Sequence, residues 1–239
     1  MHGIGISGQQ HGLVPLDNTG KVIRSAKLWN DTSTNMECAY LTQILGGDEA
    51  VIDLIGNIFT PGFTASKLLW LKRHEPENFR KMTTILLPHD FLNFYLTGQK
   101  AMEYGDASGT ALMDIRSRTW CKPILEAIDS TLEEKLPPLQ ASDKPIGTIR
   151  KELAQSFGFR EDLIISAGGG DNMMAAIGTE QGGNTLALGR NLSGYIIAAD
   201  LINLAVDSDE DQLFRTWLAQ VLTEDLDGRT LQSTHEDRP

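Results

Sequence analysis

The order of apolar and polar residues predicts short strands at the start of the chain and helices after them. Three strand-like runs, HGIGISG, LVPLD and KVIRSAKLW, occupy the first 30 residues, and Asn18-Thr19-Gly20 is typical of a hairpin turn between the last two. Thr34 and Glu37 have the spacing of a capping box, which predicts a helix that ends at Gly46 and Gly47. The apolar face expected for that helix holds Met36, Tyr40, Leu41 and Ile44.

The middle of the chain predicts further helices around one buried strand. Residues 84–87 form a continuous apolar run that Pro88 ends, and such a run is typical of a strand covered on both faces. Periodic apolar positions and turn residues predict the helices around it. We expect them over residues 48–55, 65–73, 76–82, 91–96, 118–129 and 147–157.

A strand, a glycine-rich turn and the start of a helix follow one another near residue 170. Residues 163–167 predict a buried parallel strand, Gly168–Gly170 a tight turn, and Asp171 the start of a helix that continues through Ile177. In open α/β sheets, ligands bind beyond the carboxyl ends of the strands. Asp171 is therefore placed to act as a general base that removes a proton from a hydroxyl group. It is equally suited to be the N-cap of the helix, and local spacing leaves both interpretations open.

A second polar segment, GQQHG at residues 8–12, also follows a strand. Its amides and the imidazole of His11 could donate and accept hydrogen bonds around a polyhydroxylated ligand, and the alternative is a polar hairpin turn. The other histidines have no metal-ligand spacing, and we expect them at the surface. They are His74, His89 and His235.

Composition limits the class of protein. With 239 residues, 41% hydrophobic and 22% charged, the chain is long enough for one large domain or two small ones. A net charge of -11 argues against a nucleic-acid partner, which needs a basic face. The sequence has no apolar run near the length of a membrane span and no signal peptide, so we expect a cytoplasmic protein. Cys38 and Cys121 are too few for a disulfide framework or a zinc site and are interpreted as core thiols.

The last 40 residues differ from the rest of the chain. Residues 200–239 hold ten acidic side chains against three arginines, and the last lysine is Lys151. This change predicts either an irregular acidic tail or the start of a second domain. The dinucleotide fingerprint and the Walker loop are both absent from the sequence.

An ordered set of segments resembles the xylulose kinases of the FGGY carbohydrate kinase family. The segments lie between residues 3 and 180 and are GISGQQHG, KLWNDTST, PGFTASKLLWLKRHEPENF, ILLPHDFLNFYLTG, YGDASGTALMDI and SAGGGDNMMAAIG. The resemblance implies an α/β fold, an RNase H-like domain of the actin/hexokinase type with helical insertions. It also implies that residues 1–180 are a sugar-binding domain without its first strands, and that residues 181–239 are the start of the second domain or a divergent acidic tail.

The resemblance implies a kinase that uses ATP and Mg²⁺ to phosphorylate D-xylulose, or a related ketose, at a hydroxyl group. Asp171 matches the family's catalytic aspartate, and Gln10, His11 and Asn172 match its sugar-binding residues. The segment from Trp29 to Asp31 matches a stretch near the sugar. Asp106 also matches a family position, with a turn or helix cap as the alternative to a site role.

Two features of the sequence depart from the family pattern. The Asp-x-Gly-Thr loop that holds phosphate and magnesium is absent, and Leu186–Gly194 agrees with the second phosphate-binding segment only in its glycines and Ser193. We therefore expect a truncated kinase that transfers no phosphate by itself and binds ATP only weakly. The alternative is a non-catalytic remnant that at most binds a pentose weakly.

Overall fold

The computed structural model describes residues 2–174, which fold into short strands and eight α-helices. The strands are β1 (Gly3–Ile4), β2 (Ser7–Gly8), β3 (Val14–Leu16), β4 (Thr84–Leu86), β5 (Met102–Glu103), β6 (Met113–Asp114), β7 (Thr119–Trp120), β8 (Leu139–Gln140), β9 (Pro145–Thr148), β10 (Ile164–Ser166) and β11 (Gly169–Gly170). The helices are α1 (Asn35–Ile44), α2 (Asp48–Ile55), α3 (Thr64–His74), α4 (Pro76–Lys81), α5 (Pro88–Thr97), α6 (Tyr104–Ser108), α7 (Lys122–Ile128) and α8 (Lys151–Phe157). A 3₁₀ turn spans Glu133–Lys135, and residues 171–174 begin another helix.

Parallel pairing joins the start of the chain to the segment around residue 165. Strand β1 pairs with β10, with Gly3 opposite Ile164, and β9 lies antiparallel on the other side of β10. Farther along the same two segments, β2 pairs in parallel with β11, with Gly170 opposite Gly8. The carboxyl ends of β2 and β11 therefore meet at one edge, which brings the segments after them together.

The predicted strand and turn near residue 165 are confirmed in part. The strand runs from Ile164 to Ser166, as expected. Of the three glycines, Gly168 makes the turn with a φ of 66°, whereas Gly169 and Gly170 form a strand of their own. The difference arises because β2 offers these two residues a parallel partner.

The predicted hairpin near residue 19 forms, but its first strand has a second and longer partner. The backbone N–H of Gly20 donates to Asp17 O at 3.1 Å, and Leu16 bridges to Val22 across the turn. The full length of β3 pairs antiparallel with β4, with Val14 opposite Leu86. The apolar run at 84–87 is thus a buried strand, as predicted.

The largest hydrophobic core lies among the helices α1, α2, α3 and α7. Leu41, Leu68 and Ile124 from three of these helices are fully buried in it. Cys38 and Cys121 belong to the same cluster, which confirms them as core thiols. Burial raises the pKa of Cys38 to about 11 and also raises the pKa of Cys121.

The predicted capping box at the start of α1 is wrong. Thr34 precedes the helix, but its hydroxyl donates to Pro61 O at 2.6 Å instead of bonding the backbone of α1. Glu37 is buried and pairs with Arg73 at 3.5 Å. Both side chains are used for contacts with the segment that contains α3, and those contacts outweigh the local cap.

The apolar face predicted for α1 is also largely wrong. Leu41 is buried, but Met36 is 76% exposed, and Tyr40 and Ile44 are exposed as well. The buried face is built from Glu37, Cys38 and Leu41. Glu37 lies on the buried face because it pairs with Arg73 of α3. The pattern of apolar positions alone does not predict a buried glutamate.

Two of the predicted helices begin later than expected. The range 118–129 contains β7 and then α7, and the range 147–157 contains the end of β9 and then α8. In each case the first residues of the predicted helix pair with a neighbouring strand, β6 or β10. Helix α5 instead begins earlier, at Pro88, because proline suits the first turn of a helix.

Within residues 2–174, no helix combines the length and the apolar character needed to cross a membrane. The helix continuation to Ile177, the segment Leu186–Gly194 and the acidic residues 200–239 lie outside the described residues.

Candidate functional site

The structure brings all four predicted site residues to the edge where β2 and β11 end. Gln10 follows β2, and Asp171 and Asn172 follow β11. The side-chain amide of Asn172 donates to Gln10 Oε1 at 2.9 Å, so the two segments are in direct contact. Parallel pairing of the two strands is the cause, because it places both carboxyl ends on the same side.

Gly170 is required for this contact. A Cβ at this position would lie 2.6 Å from Gln10 Cγ, well inside normal van der Waals separation. The absence of a side chain therefore lets Gln10 lie across the end of β11. The GGGDN segment thus supplies the polar side chains of Asp171 and Asn172. Its last glycine leaves space for the side chain of Gln10 from the GQQHG segment.

His11 is held in one orientation by its backbone and by its ring. Its φ is 64°, an uncommon value for a residue other than glycine. Nδ1 lies 2.6 Å from Gly109 O, and because a carbonyl only accepts, Nδ1 carries the proton and donates it there. The ring also packs against Phe63, with 4.4 Å between the ring centroids.

The charge state of His11 suits a hydrogen-bond acceptor. Burial lowers the pKa of His11 below 6.5, against the opposing effects of the Gly109 hydrogen bond and the negative charge of Asp171. The imidazole is therefore neutral at pH 7. Since Nδ1 holds the proton, Nε2 has a free lone pair with which it can accept a hydrogen bond from a hydroxyl group.

Asp171 is the first residue of the helical stretch 171–174 and is partly exposed. Its negative charge acts on His11 and partly opposes the lowering of the His11 pKa by burial. A negative charge in the first turn of a helix is favoured by the helix dipole. The position thus suits a base that must remain ionised beside a hydroxyl-bearing ligand, and equally a carboxylate that only stabilises the helix start.

Sequence reasoning missed Lys67, which lies directly beneath this edge. It is fully buried on α3, and its ammonium group donates to the carbonyl oxygens of His11 at 2.9 Å, Leu28 at 2.7 Å and Gly62 at 2.6 Å. Burial lowers the pKa of Lys67 to about 8. No signal in the sequence identified it, because the burial of this lysine depends on carbonyl groups that the fold brings to it.

The segment from Trp29 to Asp31 lies beside the loop that carries Phe63. The carbonyl oxygen of Trp29 would be 2.7 Å from a Cβ at Gly62, so the two loops touch through their backbones. Asp31 accepts a hydrogen bond from Lys27 Nζ at 2.7 Å. Burial would raise the pKa of Asp31, but hydrogen bonds from Lys27 and Ser33 outweigh it and hold that pKa well below its ordinary value.

His89 is not a surface group, contrary to the sequence expectation. It is fully buried, with Nε2 3.1 Å from Asp90 Oδ1 and Nδ1 2.9 Å from Asp106 Oδ2. Both contacts are ion-pair contacts without hydrogen-bond alignment. The ring is buried because α5 starts directly under β2, where a Cβ at Gly8 would lie 2.9 Å from His89 Cβ. His74, by comparison, has a half-exposed side chain, as predicted.

Asp106 is neither a turn residue nor a helix cap. Glu103 caps α6 by accepting hydrogen bonds from the backbone N–H groups of Gly105 and Asp106. The Asp106 side chain is buried against His89, and burial raises its pKa to about 6 although the His89 charge opposes the shift. Helix α6 leads to Gly109, whose carbonyl oxygen orients His11. The ion pair of Asp106 with His89 therefore stabilises the helix that positions this carbonyl.

The buried histidine predicts a stability that depends on pH. Burial lowers the pKa of His89, but Asp90 and Asp106 outweigh burial and raise it well above 6.5. The stabilisation is therefore complete below pH 6.5 and is lost as pH rises through the raised value. It amounts to about 1.4 kcal/mol for each unit by which the folded pKa exceeds the unfolded one.

Urea unfolding at several pH values between about 6 and 9 measures this contribution. We expect wild type to lose unfolding free energy over that interval relative to His89→Gln, which has no titrating group at position 89. His74→Gln is the matched control and should follow wild type, because His74 is half exposed. Parallel curves for wild type and His89→Gln would contradict the assignment of a protonated His89.

Comparison with known proteins identifies the family. The sequence model described as the N-terminal domain of the FGGY family of carbohydrate kinases matches residues 1–178. The chain belongs to the FGGY family of carbohydrate kinases. A xylulose kinase of Haemophilus influenzae is 46% identical over 198 residues, which are 81% of this chain and 40% of that protein.

Solved structures of FGGY kinases have the same fold. The crystal structure of a xyloylose kinase from Brucella ovis superimposes with a TM-score of 0.67 at 37% identity, over 72% of this chain and 34% of that one. Plasmodium falciparum glycerol kinase with ADP gives a TM-score of 0.69 at 25% identity, over 75% and 36%. The expected actin/hexokinase-type α/β fold is thereby confirmed. The chain spans about 40% of the length of the curated relatives it matches.

Within residues 2–174, no group of three or more histidine, cysteine, aspartate or glutamate side chains is arranged to hold a metal ion.

Proposed function

We propose that this chain is the sugar-binding part of an ATP-dependent kinase that converts D-xylulose to xylulose 5-phosphate. The observation that carries the proposal is the convergence of Gln10, His11, Asp171 and Asn172 at the edge where β2 and β11 end. Membership of the FGGY family and the 46% identity to a xylulose kinase support the reaction and the substrate. Residues 1–180 form the sugar-binding domain in this proposal, and residues 181–239 are the start of the second domain or a divergent acidic tail.

The proposed chemistry begins with orientation of one sugar hydroxyl by Asp171. The carboxylate accepts a hydrogen bond from that hydroxyl and takes its proton as the oxygen attacks the γ-phosphorus of ATP, whose bond to the bridging oxygen breaks. Neutral His11 accepts a hydrogen bond at Nε2 from a neighbouring hydroxyl. Gln10 and Asn172, already joined at 2.9 Å, retain donors and acceptors for further hydroxyl groups.

We place this kinase in the cytoplasm, where ATP is the available phosphate donor. No residue in the range 2–174 is assigned to ATP. The alternative is a chain that binds a pentose without transferring phosphate. A coupled assay for xylulose-dependent ADP formation separates the two functions.

Sugar binding to the 239-residue chain tests the site directly. We expect calorimetry to show saturable binding of D-xylulose and a weaker affinity for His11→Ala. The loss of one or two neutral hydrogen bonds, each worth about 0.5–1.5 kcal/mol, predicts an affinity lower by roughly 3- to 100-fold. D-ribulose and D-fructose, titrated in parallel, establish which ketose is preferred.

The matched control is His2→Ala, since His2 is an exposed histidine at the other end of the same strand segment. It should bind D-xylulose as wild type does. No binding of any ketose by the folded wild-type chain would contradict the proposed function. Equal losses in His11→Ala and His2→Ala would remove His11 from the site.

A further inference from the structure

The buried ammonium group of Lys67 binds backbone carbonyls from three loops near the candidate site. The ammonium of Lys67 donates to His11 O, Leu28 O and Gly62 O at 2.6–2.9 Å, which uses all three of its N–H groups. The three carbonyls come from the GQQHG loop, from the residue before Trp29, and from the residue before Phe63. Fifty-six positions separate Lys67 from His11, so the contact is tertiary.

One of these carbonyls belongs to His11, and the other two directly precede the aromatic residues Trp29 and Phe63. His11 itself is the predicted sugar ligand, and Phe63 packs against its ring at 4.4 Å. Trp29 has a side chain that is 58% exposed, a large fraction for an aromatic residue. A single ammonium therefore fixes the backbone from which His11, Phe63 and Trp29 project.

Within residues 2–174, charged groups lie around Lys67, but no carboxylate contacts its ammonium group. Among the described residues, the groups that act on it are Asp31 and Lys27 from the loop before α1, and Lys67 in turn acts on His11. The Asp31 carboxylate is satisfied by Lys27 and Ser33. A buried ammonium held by carbonyls alone is costly, because three neutral dipoles replace its hydration.

We propose that Lys67 is a positioning residue of the sugar site, and that only its protonated form holds the three loops in the arrangement that binds sugar. The neutral amine has two N–H donors and a lone pair, so one of the three carbonyls would face a lone pair instead of a donor. That carbonyl would turn away and take its loop with it. The link to sugar binding rests on the proposed function, whereas the organisation of the loops does not.

The sign of the pH dependence separates this role from overall stability. Burial lowers the pKa of Lys67 from 10.5 to about 8. Between these two values the unfolded chain binds the additional proton, so the contribution of Lys67 to folding stability rises with pH. Sugar affinity should fall over the same interval. His11 and Asp31 keep their charge there, because both of their pKa values are lowered.

The first test needs no sugar. The ¹³C chemical shifts of the His11, Leu28 and Gly62 carbonyls are followed by carbon-detected NMR in the full chain from about pH 6.5 to 10. We expect one shared midpoint near pH 8 for all three, and none in Lys67→Met. Lys72→Met is the matched control on the same helix, since Lys72 donates to Ile128 O at 2.6 Å, and it should leave the shared midpoint unchanged. Absence of a shared midpoint in wild type overturns the proposal, even if Lys67→Met does not fold.

The second test measures D-xylulose binding by calorimetry. If only the charged form binds, Kd rises about fivefold between pH 8 and pH 9, and binding takes up protons there, which buffers of different ionisation enthalpy detect. Lys67→Met should bind about 10- to 100-fold more weakly at pH 7, without proton uptake, whereas Lys72→Met should match wild type. Binding that is independent of pH overturns the role of Lys67 in the site. A chain whose carbonyls titrate together but that binds no ketose at any pH supports the loop organisation and contradicts the proposed function.

Discussion

Asp171→Asn is expected to lower kcat for D-xylulose phosphorylation by roughly 100- to 10,000-fold, the usual contribution of a general base. The amide has nearly the shape of the carboxylate and can still accept a hydrogen bond, but it cannot take the hydroxyl proton. KM for the sugar should change little, because in the proposed function His11, Gln10 and Asn172 hold the bound sugar in the ground state. The assay uses a chimaera in which residues 1–178 replace the matching part of the Haemophilus influenzae xylulose kinase.

The alternative role of Asp171 predicts a different result. A carboxylate that only stabilises the first turn is worth a few tenths of a kcal/mol to about 1 kcal/mol, so its loss would leave turnover close to wild type. Asp162→Asn is the control, because Asp162 is an exposed carboxylate that pairs with Arg160 at 2.7 Å, close to β10. Equal turnover of Asp171→Asn, Asp162→Asn and the unmodified chimaera would remove the base from the mechanism.

The convergence of the two polar segments could be predicted from the sequence. The GQQHG and GGGDN segments each follow a short apolar strand, and the carboxyl ends of parallel strands lie at one edge. The resemblance to FGGY kinases assigned residues of both segments to one sugar site, but the pairing of the two strands was not predicted and comes from the structure. The contact between Asn172 and Gln10 is the observed outcome of that pairing.

The groups beneath the site could not be predicted, because their burial depends on tertiary partners. In the sequence, Lys67 is one polar residue of an amphipathic helix. In the structure, three backbone carbonyls accept hydrogen bonds from its buried ammonium group. His89 reads as a surface histidine, yet Asp90 and Asp106 make its burial possible. In both cases a charged side chain is inside because groups brought together by the fold, some of them far away in sequence, compensate its desolvation.

The same cause explains the wrong prediction for α1. Thr34 and Glu37 satisfy the local rule for a capping box, but Pro61 O and Arg73 compete for the same two side chains. A capping hydrogen bond is worth about 1 kcal/mol. The ion pair of buried Glu37 with Arg73 and the hydrogen bond of buried Thr34 to Pro61 O together outweigh it, so the helix start is decided by packing against α3.

Gly168 lies in the turn between β10 and β11. Among the described residues, we expect the addition of one methyl group to destabilise the fold most at this position. Gly168 has a φ of 66°, and a Cβ there would lie 2.0 Å from Ile6 O and 3.0 Å from Ile6 N. Both atoms are backbone, on the segment that joins β1 to β2, so no side chain can move to make space. Gly168→Ala must separate the two parallel strands, and we expect a loss of more than about 4 kcal/mol of unfolding free energy or failure to fold.

Gly158→Ala separates the effect of contact from the effect of φ. Gly158 ends α8 with a φ of 69°, and a Cβ there would meet nothing within 4 Å. Only the left-handed backbone is penalised, so the expected loss is about 1 kcal/mol. Urea unfolding measures both variants, with far-ultraviolet circular dichroism for a variant that does not fold. Similar losses of unfolding free energy in the two variants would show that the close contact with the Ile6 backbone adds nothing to the effect of the positive φ. A selective loss in Gly168→Ala would show that this turn keeps β2 against β11, and hence Gln10 beside Asn172.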